Sequence, residues 1–355
     1  MKVLLIQYQM LGDVLTSTII ADQLKINDPD THIDYLIVTH AEAIVANHPS
    51  IDGLIKVDKS DFKKLSGVLS LSRKLKNAKY DLLIDAYGKN NSALLSWLTR
   101  IPKRIGYQKW FSRWAYTLAV RNNPDPRLFK TGLSLGSRLL LAQPLVDRVQ
   151  WQLTPTINLT KEEIQEGSQW LSEQGLNINA PITMVSVLGS GVDKTMPFKF
   201  MAQLLDIFVE QTSSQLLFNY IPAQRDQAKK IYAHCLPETR QRIFIDAFAP
   251  SIRDFLKILH HCRSIIGNEG GAINMGKALG VPSFSIFSPW INKASWNAGE
   301  DGHQHQSVHL ADVHPEIYEG KTVKSMKNQA QDLYLKFTPA LIKPQLENFI
   351  SIHYH

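Results

Sequence analysis

Two cysteines in 355 residues, Cys235 and Cys262, share no CxxC spacing. A disulfide scaffold and a thiolate zinc site are therefore set aside as organising principles. No apolar run is long enough to span a bilayer. The opening "MKVLLIQYQMLGD" is broken by Gln7, Gln9 and Asp13 and has no small-residue cleavage site, so it reads as the buried first strand of a cytoplasmic protein rather than a signal peptide. Repeats, heptads and low-complexity tracts are missing, which argues against solenoids and coiled coils. There is no GxGxxG after the first strand and no GxxxxGK[ST], so dinucleotide and Walker-type phosphate sites lack their fingerprints.

What is present is a globular composition, 44% hydrophobic and 20% charged, at a length that suits two domains. The net charge of +7 is unevenly spread: residues 59–148 carry 18 Lys/Arg against 5 Asp/Glu, and the remainder is mildly acidic. Such a stretch is either a solvated surface or a contact for an anionic partner, whether phosphorylated lipid, membrane face or nucleic acid.

Apolar runs alternate with helical patterns. "KVLLIQY", "HIDYLIVT", "IDGLIKVD" and "YDLLIDAYG" read as strands, with helices such as "DVLTSTIIADQLKIN" between them. After a linker at residues 150–160 the rhythm restarts with "PITMVSVLGSG", "SQLLFNYIP", "RSIIGNEG" and "VPSFSIFSP" as strands. This spacing implies two α/β lobes, each with a parallel sheet covered on both faces, with a cleft between them.

Ligands in such sheets sit at the carboxyl ends of the strands, which singles out three loops. The first holds Gly12 and Asp13, where the acid is either a helix cap or a general base. The second, "LGSGVDKTMPFKF", offers Ser190, Gly191 and Lys194 ahead of a helix favoured by Pro197. The third, "IGNEGGAINMGKALG", offers Glu269, Gly270 and Gly271 before a helix beginning near Ala272. Glycine-rich turns ahead of helices suit phosphate groups, and Lys194 adds a full charge; each is also explained as a simple tight turn. No Asp-x-Asp pair follows a strand to hold a metal. The histidines of "HQHQSVHLADVH" read as a solvated surface loop, with metal binding as the lesser reading. "KRIGYQKWFSRWAY" interleaves cations and aromatics, which suits core packing, base stacking or a helix lying on an anionic membrane. Trp290 and Trp296, just past the third loop, either wall a ligand or pack in the core.

The combination and order of "LGDVLTSTIIADQLK", "YDLLIDAYG", "RIGY", "DKTMPFKF" and "NEGGAINMGKALGVPSFSIFSP" resembles glycosyltransferase family 9, the ADP-heptose:lipopolysaccharide heptosyltransferases. The resemblance implies the GT-B fold, two Rossmann-like α/β domains facing across a cleft. It implies an N-terminal acceptor-binding domain over 1–155, a C-terminal donor-binding domain over 156–330, and a helical segment over 331–355 packing back towards the first domain. It implies an inverting, metal-independent transfer of a heptose or similar sugar from a nucleotide-diphosphate donor such as ADP-heptose to a phosphorylated, lipid-linked inner-core saccharide, without a cofactor; the alternatives are a different nucleotide sugar on the same fold, or a non-catalytic binder of anionic lipid or polymer that uses the basic stretch. The enzyme would work at the cytoplasmic, anionic face of a Gram-negative inner membrane, with no nucleic acid as partner. Asp13 maps onto the family's catalytic base, and Lys194 with Ser190 onto its phosphate-binding positions. Gly191, Glu269, Gly270, Gly271 and Asn274 fall on the donor side, with the nucleobase met near Pro250 and Ser251. Gly12, Lys89, Arg104 and Arg113 fall on the acceptor side. The third loop departs from the family's Asp-Thr/Ser-Gly-x-x-His by carrying Glu269, Gly270 and Asn274, and the family's ribose-binding glutamate falls at Arg225.

Overall fold

Val3, Leu4, Leu5 and Ile6 are all fully buried, so the first strand offers neither face to water, as a parallel sheet covered by helices requires. In the computed structural model, which describes residues 1–123 and 132–355, contacts separate the chain into Met1–Asn158 and Leu159–His355. The break lies slightly beyond the boundary expected at residue 155.

The first unit contains strands β1 (Lys2–Ile6), β2 (His32–Val38), β3 (Gly53–Val57), β4 (Leu82–Asp85), β5 (Lys103–Tyr107) and β6 (Leu118–Val120). They pair in the order β3-β2-β1-β4-β5-β6, parallel throughout. This is the strand order of dinucleotide-binding folds, with its switch point where β1 meets β4. The second unit contains β7 (Ile182–Ser186), β8 (Gln215–Phe218), β9 (Ser264–Asn268), β10 (Ser283–Ile286) and β11 (His305–Val308). Their order, β11-β10-β9-β7-β8, is also parallel and puts a switch point where β7 meets β9. Both units are thus Rossmann-like.

Two readings change. "KRIGYQKWFSRWAY" is not a helix: it gives β5, a loop and a short 3-10 turn at Arg113–Ala115. Parallel pairing with β4 and β6 holds Lys103–Tyr107 extended, and Gly106 lies under the Tyr116 ring so closely that a Cβ there would sit 2.3 Å from the ring. The histidine-rich segment is not a plain surface loop, because it supplies β11 and a buried His309 whose Nδ1 accepts from Ala311 N. Burial also pushes His305 down to about 4. Within the second unit, the C-terminal helix Pro339–Tyr354 packs against the helix Phe198–Gln211 and β11. Ile342, Leu346, Phe349 and Ile350 join that unit's core, and Tyr354 Oη lies 2.6 Å from Thr183 Oγ1 and 2.7 Å from Ser264 Oγ.

Because Phe349 is fully buried against Phe284, Phe349→Ala is expected to destabilise the second unit by about 3–5 kcal/mol. Chemical denaturation measures this, and a loss below about 1 kcal/mol would mean that the last helix is not part of the core.

Candidate active site

The first helix, Leu11–Asn27, starts without a side-chain cap, after Met10 in a left-handed conformation at φ 62°. A non-glycine residue there is strained, and such strain concentrates at functional sites. Asp13 lies inside the first turn and caps nothing. Its Oδ1 accepts from Arg138 Nη2 at 2.9 Å, across 125 residues of sequence. Oδ2 has no hydrogen-bond partner among the described residues, and the side chain is 31% exposed. Burial raises the carboxyl above its ordinary range, while Arg138 and Lys89 pull it the other way. A Cβ built on Gly12 meets nothing, so the protein's own packing does not demand glycine there.

Lys89 opens the helix Asn90–Thr99 and follows a loop pinned from beneath. Asp85, the fully buried last residue of β4, accepts from Gly88 N at 2.8 Å and from Tyr116 Oη at 2.7 Å. Burial raises its carboxyl, with those two hydrogen bonds acting in the opposite sense. Lys109 donates to Gly88 O at 2.8 Å, closing the loop from the other side. Lys63, Lys89, Asn90 and Asn91 share a cavity of about 530 Å³ with Tyr8, Gln9, Phe62, Tyr87, Trp110 and Phe111. Tyr8 stacks on Phe62, and Gln9 Nε2 donates to Tyr87 Oη. Aromatic walls with amide and ammonium groups at the rim suit an anionic sugar.

The other acceptor-side candidates do not line this cavity. The Arg104 guanidinium donates to Ala115 O at 2.9 Å and Ile101 O at 2.6 Å, which ties β5 to the following turn. Arg113 is exposed beside Trp114.

In the second unit, the loops after β7 and β9 meet through Asn268. Its Oδ1 accepts from Met196 N at 2.9 Å, and its Nδ2 donates to Ser186 O and Val187 O. Lys194 Nζ then lies 3.2 Å from Glu269 Oε1, so two residues read separately in the sequence form one ion pair. Trp290 stands beside them: its Nε1 donates to Asp193 O, and its ring faces both Lys194 and Lys327. Trp296 remains 55% exposed. Gly270, at φ 155°, precedes the helix Gly271–Ala278, whose first turn carries Asn274, and a Cβ on Gly270 meets nothing within 4 Å.

A cavity of about 450 Å³ is lined by Ser190, Gly191, Thr195, Pro197, Gln224, Gln227 and Gln331 among others. Pro250 and Ser251 are not among its lining residues; the Ser251 hydroxyl caps the helix Ile252–His260 by accepting from Asp254 N. Arg225 pairs with Asp246 on the surface. Sequence reasoning missed Arg138 and the three glutamines, since nothing near them in the chain marks them. Tyr87 was within a quoted motif without being singled out. Among the described residues, no group of three His, Cys, Asp or Glu side chains is placed to hold a metal ion.

The profile of glycosyltransferase family 9 (heptosyltransferase) matches residues 68–305. The chain is 24% identical over 298 residues to lipopolysaccharide heptosyltransferase 1 of Campylobacter coli, covering 81% of this chain and 84% of that one. It superposes on the crystal structure of the glycosyltransferase family 9 protein from Veillonella parvula with a TM-score of 0.78 at 18% identity, covering 99% and 97% of the two chains. On E. coli ADP-heptose lps heptosyltransferase II the TM-score is 0.69 at 16% identity, covering 95% and 99%. With two parallel α/β units, strand-end loops carrying Asp13, Lys194 and Glu269, and a family match over most of its length, the chain belongs to glycosyltransferase family 9 and is a glycosyltransferase of the GT-B fold.

Proposed function

We propose that this glycosyltransferase moves a heptose from ADP-heptose to the inner core of a lipopolysaccharide or lipooligosaccharide, inverting the anomeric configuration without a metal ion. The observation that carries the reading is Asp13: an acid in a helix's first turn that caps nothing and keeps one oxygen without a hydrogen bond among the described residues. The names of the relatives, a lipopolysaccharide heptosyltransferase and an ADP-heptose lps heptosyltransferase, supply the donor and acceptor classes.

In this reading the first unit binds the acceptor and the second the donor. The acceptor hydroxyl attacks the anomeric carbon, the bond from that carbon to the β-phosphate oxygen breaks, and its electron pair leaves with the nucleoside diphosphate. The hydroxyl proton passes to Asp13. Lys194 and Ser190, with backbone N–H groups around Gly191 and Gly271, meet the charge that develops on the leaving group, more strongly in the transition state than before it. These fixed charges take the place of a metal. Glu269 holds Lys194 and faces the sugar hydroxyls together with Gly270 and Asn274, and backbone near Pro250 and Ser251 meets the nucleobase. Lys63 and Lys89 take the acceptor's anionic groups, while Tyr87 and Trp110 stack on its sugar. Gly12 leaves room for the hydroxyl to approach. Arg104 acts by holding the turn that carries Arg113.

The enzyme works at the cytoplasmic face of the inner membrane as a peripheral protein. Residues 86–124 contain seven Lys/Arg and no acid. Trp97, Trp110 and Trp114 are 49%, 94% and 55% exposed within that stretch, the pairing of interfacial aromatics with cations that suits an anionic bilayer. Among the described residues, no helix is long and apolar enough to cross a membrane.

Asp13→Asn is expected to lower kcat about 10²–10⁴-fold while ADP still raises the melting temperature; single-turnover transfer and a thermal-shift titration measure the two effects. Turnover close to that of the unaltered enzyme refutes the base. Lys194→Ala is expected to weaken ADP by about 1.5–3 kcal/mol, read by calorimetry, with acceptor binding unchanged. A better response to another nucleoside diphosphate reassigns the donor. Arg113→Ala is expected to cost about 1 kcal/mol of binding to phosphatidylglycerol vesicles. Replacing the three tryptophans by serine lowers binding further. Equal sedimentation with neutral phosphatidylcholine vesicles removes the membrane reading.

A further inference from the structure

We propose that Arg138 is the positioning residue for Asp13: it grips one carboxylate oxygen, leaves the other for the acceptor hydroxyl, and keeps the base negatively charged at neutral pH. The inference rests on the reading of Asp13 as the base.

Arg138 sits on the helix Leu133–Ala142 with its side chain only 14% exposed. A guanidinium removed from water to that extent needs an anionic partner, and Asp13 is the carboxylate within reach, at 2.9 Å. Nη1 donates to Tyr107 Oη at 3.2 Å, and that hydroxyl donates to Ser137 O at 3.1 Å. The planar fork is therefore fixed at both tips, and its orientation sets that of the carboxylate. Nε is buried without a hydrogen-bond partner among the described residues, so they do not satisfy every donor of the side chain.

The groups facing Asp13 come from four elements. Arg138 lies on the helix just named, Lys89 at the start of Asn90–Thr99, Tyr35 on β2 and Tyr107 on β5. Lys109 adds a further cation near Arg138. Burial opposes ionisation of Asp13, and the two cations Arg138 and Lys89 favour it. Removing Arg138 therefore raises the carboxyl's pKa, protonates more of the base at neutral pH, and moves the acid limb of the rate profile upward. A purely structural tie to the first helix predicts a different result: turnover falls by one factor at every pH and the limb stays in place.

The test is the pH dependence of kcat/KM for the acceptor in Arg138→Met, Arg138→Lys and Asp13→Asn. For Arg138→Met the acid limb is expected to rise by about 1–3 pH units, with turnover recovering on the alkaline side and the donor KM unchanged. A limb at its original pH overturns the proposal. Arg138→Lys restores the charge but not the fork, so the limb returns towards its original pH while kcat stays roughly ten- to a hundredfold low. If Arg138→Met does not fold, Arg138→Lys decides alone, and a kcat equal to that of the unaltered enzyme overturns the proposal. An active Asp13→Asn sinks the base itself. An inactive Asp13→Asn beside an unmoved limb in Arg138→Met sinks only the role of Arg138.

Discussion

Parallel pairing is the constraint from which both candidate sites follow. When every strand runs the same way, all carboxyl ends lie on one edge of the sheet, and the widest crevice opens where successive helices leave towards opposite faces. In the first unit that place lies at the ends of β1 and β4, in the second at the ends of β7 and β9. Each of these junctions has a fully buried polar residue at the end of a central strand. Asp85 ends β4 and holds Gly88 and Tyr116; Asn268 ends β9 and holds Met196 and the carbonyls of Ser186 and Val187. A buried polar side chain is tolerated only when its hydrogen bonds are made. The same requirement that satisfies Asp85 and Asn268 therefore fixes the loops bearing Lys89 and Lys194.

A second shared feature is that the charged candidates arrive in pairs. Asp13 is held by Arg138, and Lys194 by Glu269. Partial burial makes an isolated charge costly, and an opposite charge at hydrogen-bond distance offsets that cost while restricting the side chain to few rotamers. A preorganised charge does not have to reorient as the reaction proceeds, which is where electrostatic catalysis gains most. Pairing also moderates the charge: Lys194 Nζ has Glu269 Oε1 beside it, so the pair presents less net positive charge than a free lysine would. Glu269, with two methylenes in its side chain, reaches across to Lys194 Nζ at 3.2 Å.

The periodicity of the chain was enough to read both α/β units, because buried parallel strands are continuous apolar runs and the connecting helices repeat every three to four residues. It failed where a single contact overrode local pattern. The basic-aromatic stretch suited a helix as well as other readings, but it starts as β5, with the Tyr116 ring lying on Gly106. The polar sequence of β11 hid a strand paired to β10 with the last helix packed nearby. The C-terminal helix is amphipathic in sequence, but nothing in its pattern says which apolar surface it covers.

The sequence by itself determined the parallel architecture, the loops at the strand ends and the unbalanced basic stretch, and it singled out Asp13, Lys194 and Glu269 as candidates, since each depends on residues close together in the chain. Only the tertiary structure decided that Asp13 is paired with Arg138 across 125 residues, that Lys194 meets Glu269 across 75, and that Gln331 joins the cavity of the second unit. Those pairings arise from the folding of distant helices and loops onto the sheets. Local propensity has no term for a contact whose two halves are brought together by burial elsewhere.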